Sequence, residues 1–194
     1  MLHFPVSQLL LSFWLGLLLV LPIKAESKSG DSSKAELLTA LERYSGTWSG
    51  NLYVRSSDGS IEQRLEIEQT YWWGNSDGVR FIKGQAVFTT PAGIGYSRSK
   101  TFIRDGSLFS LVVQDDKEQR FRGTLSEDGA AIHWAPLNST EALGRLLKES
   151  FTEIDGREAI VIDGFETLRS GNRNIYLKID ATLLRDRADK AVEK

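Results

Sequence analysis

From Gly46 onward the hydrophobic and polar positions of this chain alternate with a period of two. Ile61, Leu65, Ile67 and Tyr71 share one parity, and Arg64, Glu66, Glu68 and Thr70 share the other. Such alternation gives a strand one dry face and one wet face. Turn chemistry punctuates the pattern at Ser57-Asp58-Gly59, Asn75-Ser76-Asp77-Gly78, Asp105-Gly106, Asp115-Asp116, Glu127-Asp128-Gly129, Asp155-Gly156 and Ser170-Gly171-Asn172. Gly, Asn and Asp tolerate the positive φ that tight turns require. The predicted strands are 46–56, 61–73, 79–89, 96–104, 107–114, 119–125, 130–135, 147–154, 158–167 and 174–184. Links this short make consecutive strands antiparallel neighbours. The one longer link, 136–146, has Ser139 or Thr140 to cap a single helical turn. Ten strands in sequence order leave two bare edges unless the sheet closes. The expected fold is therefore all-β, an antiparallel up-and-down barrel of about ten strands, with a two-sheet sandwich as the alternative.

Before Gly46 the period is helical. Leu37, Leu41 and Tyr44 form one stripe with Leu38 beside it, and Asp31, Ser32 or Ser33 can cap a short helix over 34–44. That helix either plugs one end of the barrel or packs on its outside. Residues 26–33 are polar and Ser-rich and read as a flexible linker. Residues 1–25 read as a signal peptide, with an apolar core from Leu9 to Leu21, Pro22 after it and Ala25 at the cut. No Lys or Arg precedes the core, and a retained anchor over 4–23 is the competing reading. The expected domains are the leader, the linker, a barrel over 34–187 and a polar tail over 188–194.

Composition narrows the class. The chain has no cysteine, which excludes a disulfide framework, a thiolate metal site, a cysteine nucleophile and a lipid-modified cysteine after the leader. A disulfide-free exported domain must be held by its core, which favours a bacterial envelope, periplasmic or secreted, over an animal plasma protein. Net charge is −2, and removal of 1–25 takes away Lys24 and no acid, giving −3. The signs are interleaved along the chain, without the basic excess a nucleic-acid partner calls for. No membrane span is expected once the leader is removed.

The segment Ser45-Gly46-Thr47-Trp48-Ser49-Gly50 resembles the Gly-x-Trp opening of the lipocalin and fatty-acid-binding superfamily, the calycins. It is most similar to bacterial exported lipocalin-like families of unknown function whose first strand opens Gly-Thr-Trp-x-Gly. The resemblance implies a short helix before strand one, a glycine that lets the chain turn in, and a tryptophan across the closed end. It also implies a late basic side chain on that indole, for which Lys178, Arg185 and Arg187 are the candidates. The same segment resembles the start of nitrobindin-like haem barrels. Those carry an axial histidine near the C-terminus, where this chain has none.

A calycin-like barrel implies a small apolar or amphipathic ligand, and the ligand-binding candidates are Trp48, Gln63, Ile67, Tyr71, Phe81, Gln85, Trp134 and Phe151. Leu52, Val87, Leu111, Phe121, Ile160, Leu177 and Ile179 are further inward candidates. Gln63 and Gln69 fall on the apolar parity of the second strand, and Lys83 and Gln85 join them on the third if Phe81 and Val87 face in. Such groups orient a ligand head group or sit in water at the mouth. His133 lies between Ile132 and Trp134 and is expected to point outward. Trp72 is expected opposite Tyr71 and Trp73, at the rim or outside. Residues 90–95 read as a portal flap or a wide connection. Glu149 and Glu153 share a parity and read as solvated carboxylates rather than a hydrolytic pair. No nucleophile-elbow, metalloprotease or phosphate-loop motif is present. The reading is of a binding protein rather than an enzyme, with no metal and no cofactor. The alternative is an envelope interaction protein whose barrel core is filled.

Overall fold

The computed structural model describes residues 33–91, 93–137, 145–170 and 173–187. The expected leader, most of the linker, the single turn within 136–146 and the tail lie outside the described residues. Helix α1 (Lys34–Glu42) is followed by ten strands. These are β1 (Gly46–Ser56), β2 (Glu62–Ser76), β3 (Val79–Thr90), β4 (Gly93–Arg104), β5 (Ser107–Gln114), β6 (Lys117–Leu125), β7 (Ala131–Pro136), β8 (Leu146–Ile154), β9 (Arg157–Ser170) and β10 (Arg173–Arg185). Each strand pairs antiparallel with its sequence neighbours, and β1 also pairs β10 through Trp48↔Arg185, Leu52↔Ala181 and Ser56↔Leu177. The sheet is thus a closed barrel, and neither a sandwich nor a free edge remains.

The turns follow from their sequence. Asp77-Gly78, Asp105-Gly106, Asp115-Asp116 and Asp155-Gly156 each carry positive φ at both positions. They are the two-residue mirror-image turns whose twist matches paired strands. The stretch over 90–95, read as a portal flap or a wide connection, is a tight one, because β3 and β4 stay paired out to Thr90↔Gly93.

Helix α1 begins at Ser33, whose hydroxyl accepts from the Glu36 amide at 3.3 Å while the Glu36 carboxylate accepts from the Ser33 amide at 2.7 Å. This reciprocal cap satisfies two of the four orphan amides of the first turn. Leu37, Ala40 and Leu41 are buried, and with Tyr44 they pack among Trp48, Leu108, Ile132, Ile160 and Leu183. The helix therefore plugs one end of the barrel. Trp48, only 1% exposed, lies across that end and donates through Nε1 to the Tyr44 carbonyl at 2.7 Å. The cation on its indole is Arg185, at 4.4 Å from the ring centroid. Arg185 also donates to the carbonyls of Ser45 and Arg43 and pairs with Glu158. One side chain thus ties the end of β10 to the turn between helix and barrel.

Two wall assignments read from the sequence are corrected. On β3 the inward residues are Ile82, Gly84, Ala86 and Phe88, not Phe81, Lys83, Gln85 and Val87. On β5 they are Leu108, Ser110, Val112 and Gln114, not Leu111. Both strands carry large apolar residues on both parities, so hydropathy misassigns their faces. Steric fit decides them instead. A Cβ on Gly84 would meet the Tyr71 ring at 2.6 Å, so a wide aromatic is admitted only where β3 presents no side chain.

Candidate functional site

Between the helix plug and the far end, the barrel holds a cavity of about 220 Å³ that is partly open to solvent. Its walls differ in chemistry. Leu52, Ile67, Ile179, Ile162 and Leu147 make an apolar wall on β1, β2 and β8–β10. Ser97, Ser99, Thr101, Ser110 and Gln114 make a hydroxyl- and amide-bearing wall on β4 and β5. Thr101 Oγ1 and Ser110 Oγ are 3.0 Å apart, and both residues are buried. On this arc the usual rule is inverted. Polar side chains face in, while Phe81, Phe102 and Phe109 lie outside. There Lys100 sits 4.1 Å from the centroid of Phe81, and Phe102 stacks on Phe109 at 6.0 Å.

The floor next to the plug is aromatic and acidic. Tyr44, at the end of the helical segment, meets Tyr71 of β2 at 5.2 Å and Phe151 of β8 edge-on at 4.9 Å. Glu149 of β8 lines the cavity here. Its Oε2 accepts from the Tyr44 hydroxyl and, at 2.8 Å, from Trp134 Nε1. Tyr71 donates to Gln69 Oε1 at 2.9 Å. Gly123 of β6 makes room for Trp134, since a Cβ there would lie 2.6 Å from the indole. Enclosure raises the Glu149 carboxyl above its ordinary range, partly offset by the two donors. Burial and the neighbouring carboxylate push the Tyr44 and Tyr71 hydroxyls upward as well.

At the opposite end a second enclosed acid is treated differently. Glu166 of β9 pairs with Arg145 at 2.9 Å, with side chains 10% and 8% exposed. Arg145 also donates to Gln119 Oε1 at 2.7 Å and lies over Phe121. Burial pushes the Glu166 carboxyl up to about 7 despite the guanidinium beside it.

Ile67, Tyr71 and Trp134 line the cavity. Trp48 and Phe151 lie in the plug and floor packing rather than on the cavity surface. Gln63 stands opposite Val54 near the far end and is not among the lining residues, so the polar group β2 brings in is Gln69. Phe81 is on the outer face. Gln85 borders the cavity but is itself exposed, on the parity opposite Gly84 and Ala86. His133 is exposed on the outer face, as alternation implies, and Trp72, 42% exposed, is outside while Trp73 packs inward. Glu149 overturns its reading as solvated, whereas Glu153 is exposed. The signal for Glu149 was its parity, shared with Leu147 and Phe151. Arg145, Glu166 and the hydroxyl wall carried no comparable sequence signal. Among the described residues no group of three or more His, Asp or Glu is placed to hold a metal ion. In comparison with known proteins, no family model and no curated sequence matches the chain.

Proposed function

We propose that this protein is an exported, lipocalin-like carrier that binds a small amphipathic molecule inside the barrel and performs no chemistry on it. The observation that carries the reading is the two-sided cavity. An apolar wall drives binding by desolvation, and a facing row of hydroxyls and an amide orients the ligand. The volume sets the scale. An engineered apolar cavity of about 150 Å³ holds benzene, and drug-sized ligands occupy pockets of about 300–1,000 Å³. At about 220 Å³ this partly open cavity falls between the two, and it sets the size of the portion of the ligand that is buried. Export rests on the leader pattern of residues 1–25, and the lipocalin-like assignment on the Gly46-Thr47-Trp48-Ser49-Gly50 opening together with the plugged barrel. The cavity counts against a filled core.

The test is a tryptophan-fluorescence titration with small alkylbenzenes and short-chain amphiphiles, repeated on Ala86→Phe. Ala86 is buried and faces the cavity, so a phenyl ring there fills the space. Saturable binding that Ala86→Phe abolishes, with its circular dichroism unchanged, supports the proposal. Binding that survives the filled cavity refutes it.

A further inference from the structure

Two acids face the interior of the barrel, Glu166 buried and Glu149 half-buried, and they differ in one respect that bears on the ligand. Glu166 has its cation, Arg145, built in. Glu149 forms no ion pair among the described residues, and both of its hydrogen bonds land on Oε2. The other carboxylate oxygen, on a residue that lines the cavity, receives none of these bonds. A carboxylate withdrawn from water without a counter-charge is costly, and a cation that reaches it is held strongly. The rings around it suit the same guest. Tyr44, Tyr71 and Trp134 line the cavity at this floor and offer apolar ring surface to the body of the guest.

We propose that Glu149 is the seat for the ammonium group of a small primary amine whose body extends into the cavity. This rests on the cavity being a ligand site and names the class of ligand it takes. The ammonium would donate to Oε1 while Tyr44 and Trp134 hold Oε2 in place. The hydrocarbon part would lie along Ile67 and Ile179, facing the hydroxyls of β4 and β5. Without a cation, enclosure biases Glu149 toward its neutral form, and an arriving ammonium supplies the charge that favours the carboxylate. Arg145 stands four residues away along the same wall, about 13 Å at the rise of a strand. Its guanidinium is held by Glu166 and Gln119 rather than by Glu149.

The experiment compares three probes on the whole protein near neutral pH, namely the isosteric pair 2-phenylethylamine and n-propylbenzene, and the slightly larger anion 3-phenylpropionate. Affinities come from calorimetry, with tryptophan fluorescence as a second readout because Trp134 touches Glu149. The expected result is that the amine binds about 30-fold or more tightly than propylbenzene, the scale of an enclosed charge pair. The carboxylate is expected to bind weakest. E149Q should erase the preference for the amine and leave propylbenzene affinity in place. Equal binding of amine and propylbenzene by the unaltered protein overturns the assignment while leaving the cavity reading intact, and so does an amine preference that survives E149Q. Failure of all three probes to bind removes both. Should E149Q not fold, the comparison within the unaltered protein decides alone.

Discussion

Removing Arg185 should loosen the plugged end of the barrel by an amount that can be worked from its contacts. Its guanidinium covers an indole that is nearly free of solvent, a contact that contributes about 1–2 kcal/mol at a desolvated site. It donates to two backbone carbonyls, Ser45 and Arg43, and a charged donor is worth about 1.5–3 kcal/mol where its loss leaves a partner unsatisfied. The pairing with half-exposed Glu158 adds only about 0.2–1 kcal/mol. These terms share one side chain and do not add in full. Arg185→Ala is therefore expected to cost about 3–4 kcal/mol. At about 2–4 °C per kcal/mol for a domain of this size, the thermal midpoint should fall by about 6–16 °C. Arg185→Lys keeps a cation near Trp48 but cannot fork to both carbonyls, and should lose about half as much. Urea unfolding followed by tryptophan fluorescence and by circular dichroism measures both variants. The reasoning fails if Arg185→Ala lies within about 0.5 kcal/mol of the parent, the range of an ordinary surface change, or if Lys is no better than Ala.

Other perturbations test other parts of the structure. Burial pushes the Glu166 carboxyl from its ordinary value of 4.5 up to about 7 in the folded state. Between those values the folded protein binds more protons than the unfolded chain, so stability is highest below the window and declines as pH rises through it. The decline attributable to this group is about 3 kcal/mol, and urea midpoints across the window should show a slope that E166Q flattens. Glu149 is shifted in the same direction and contributes to any slope that remains. Gly123→Ala places a methyl against the Trp134 indole and should cost about 1–3 kcal/mol, with an altered emission spectrum, measured by the same unfolding assay. Leu41→Ala empties a fully buried position in the helix plug and should cost about 2–5 kcal/mol, which differential scanning calorimetry would register.

Much of this architecture is legible in the chain, for identifiable reasons. Asp-Gly pairs mark the strand ends because few other residues accept two successive positive φ values. The stripe Leu37, Leu41 and Tyr44 marks the plug because its spacing fits one helical face. The strand β2 alternates cleanly because its outer face meets water. What hydropathy could not reach is the wall of β3–β5. There Gly84, Ser97, Ser99 and Ser110 face inward to leave space and hydrogen-bonding groups, and large apolar residues take the outside. Pairing across the sheet fixes those faces, and one strand read alone does not contain it. Glu149 was hidden for a related reason. Its environment comes from Tyr44, 105 residues away in sequence, and from Trp134 on a neighbouring strand. The choice of Arg185 over Lys178 and Arg187 likewise depended on register, through the pairing Trp48↔Arg185.

The central claim, a barrel interior that receives a small guest, is tested most directly by methyl NMR. Isoleucine-labelled protein would be titrated with n-propylbenzene. The account predicts saturable shifts at Ile67, Ile82, Ile162 and Ile179, which line the cavity, with Ile94, 60% exposed on the outer face, left unmoved. Shifts confined to Ile94, or none at any isoleucine up to the solubility of the probe, would contradict it.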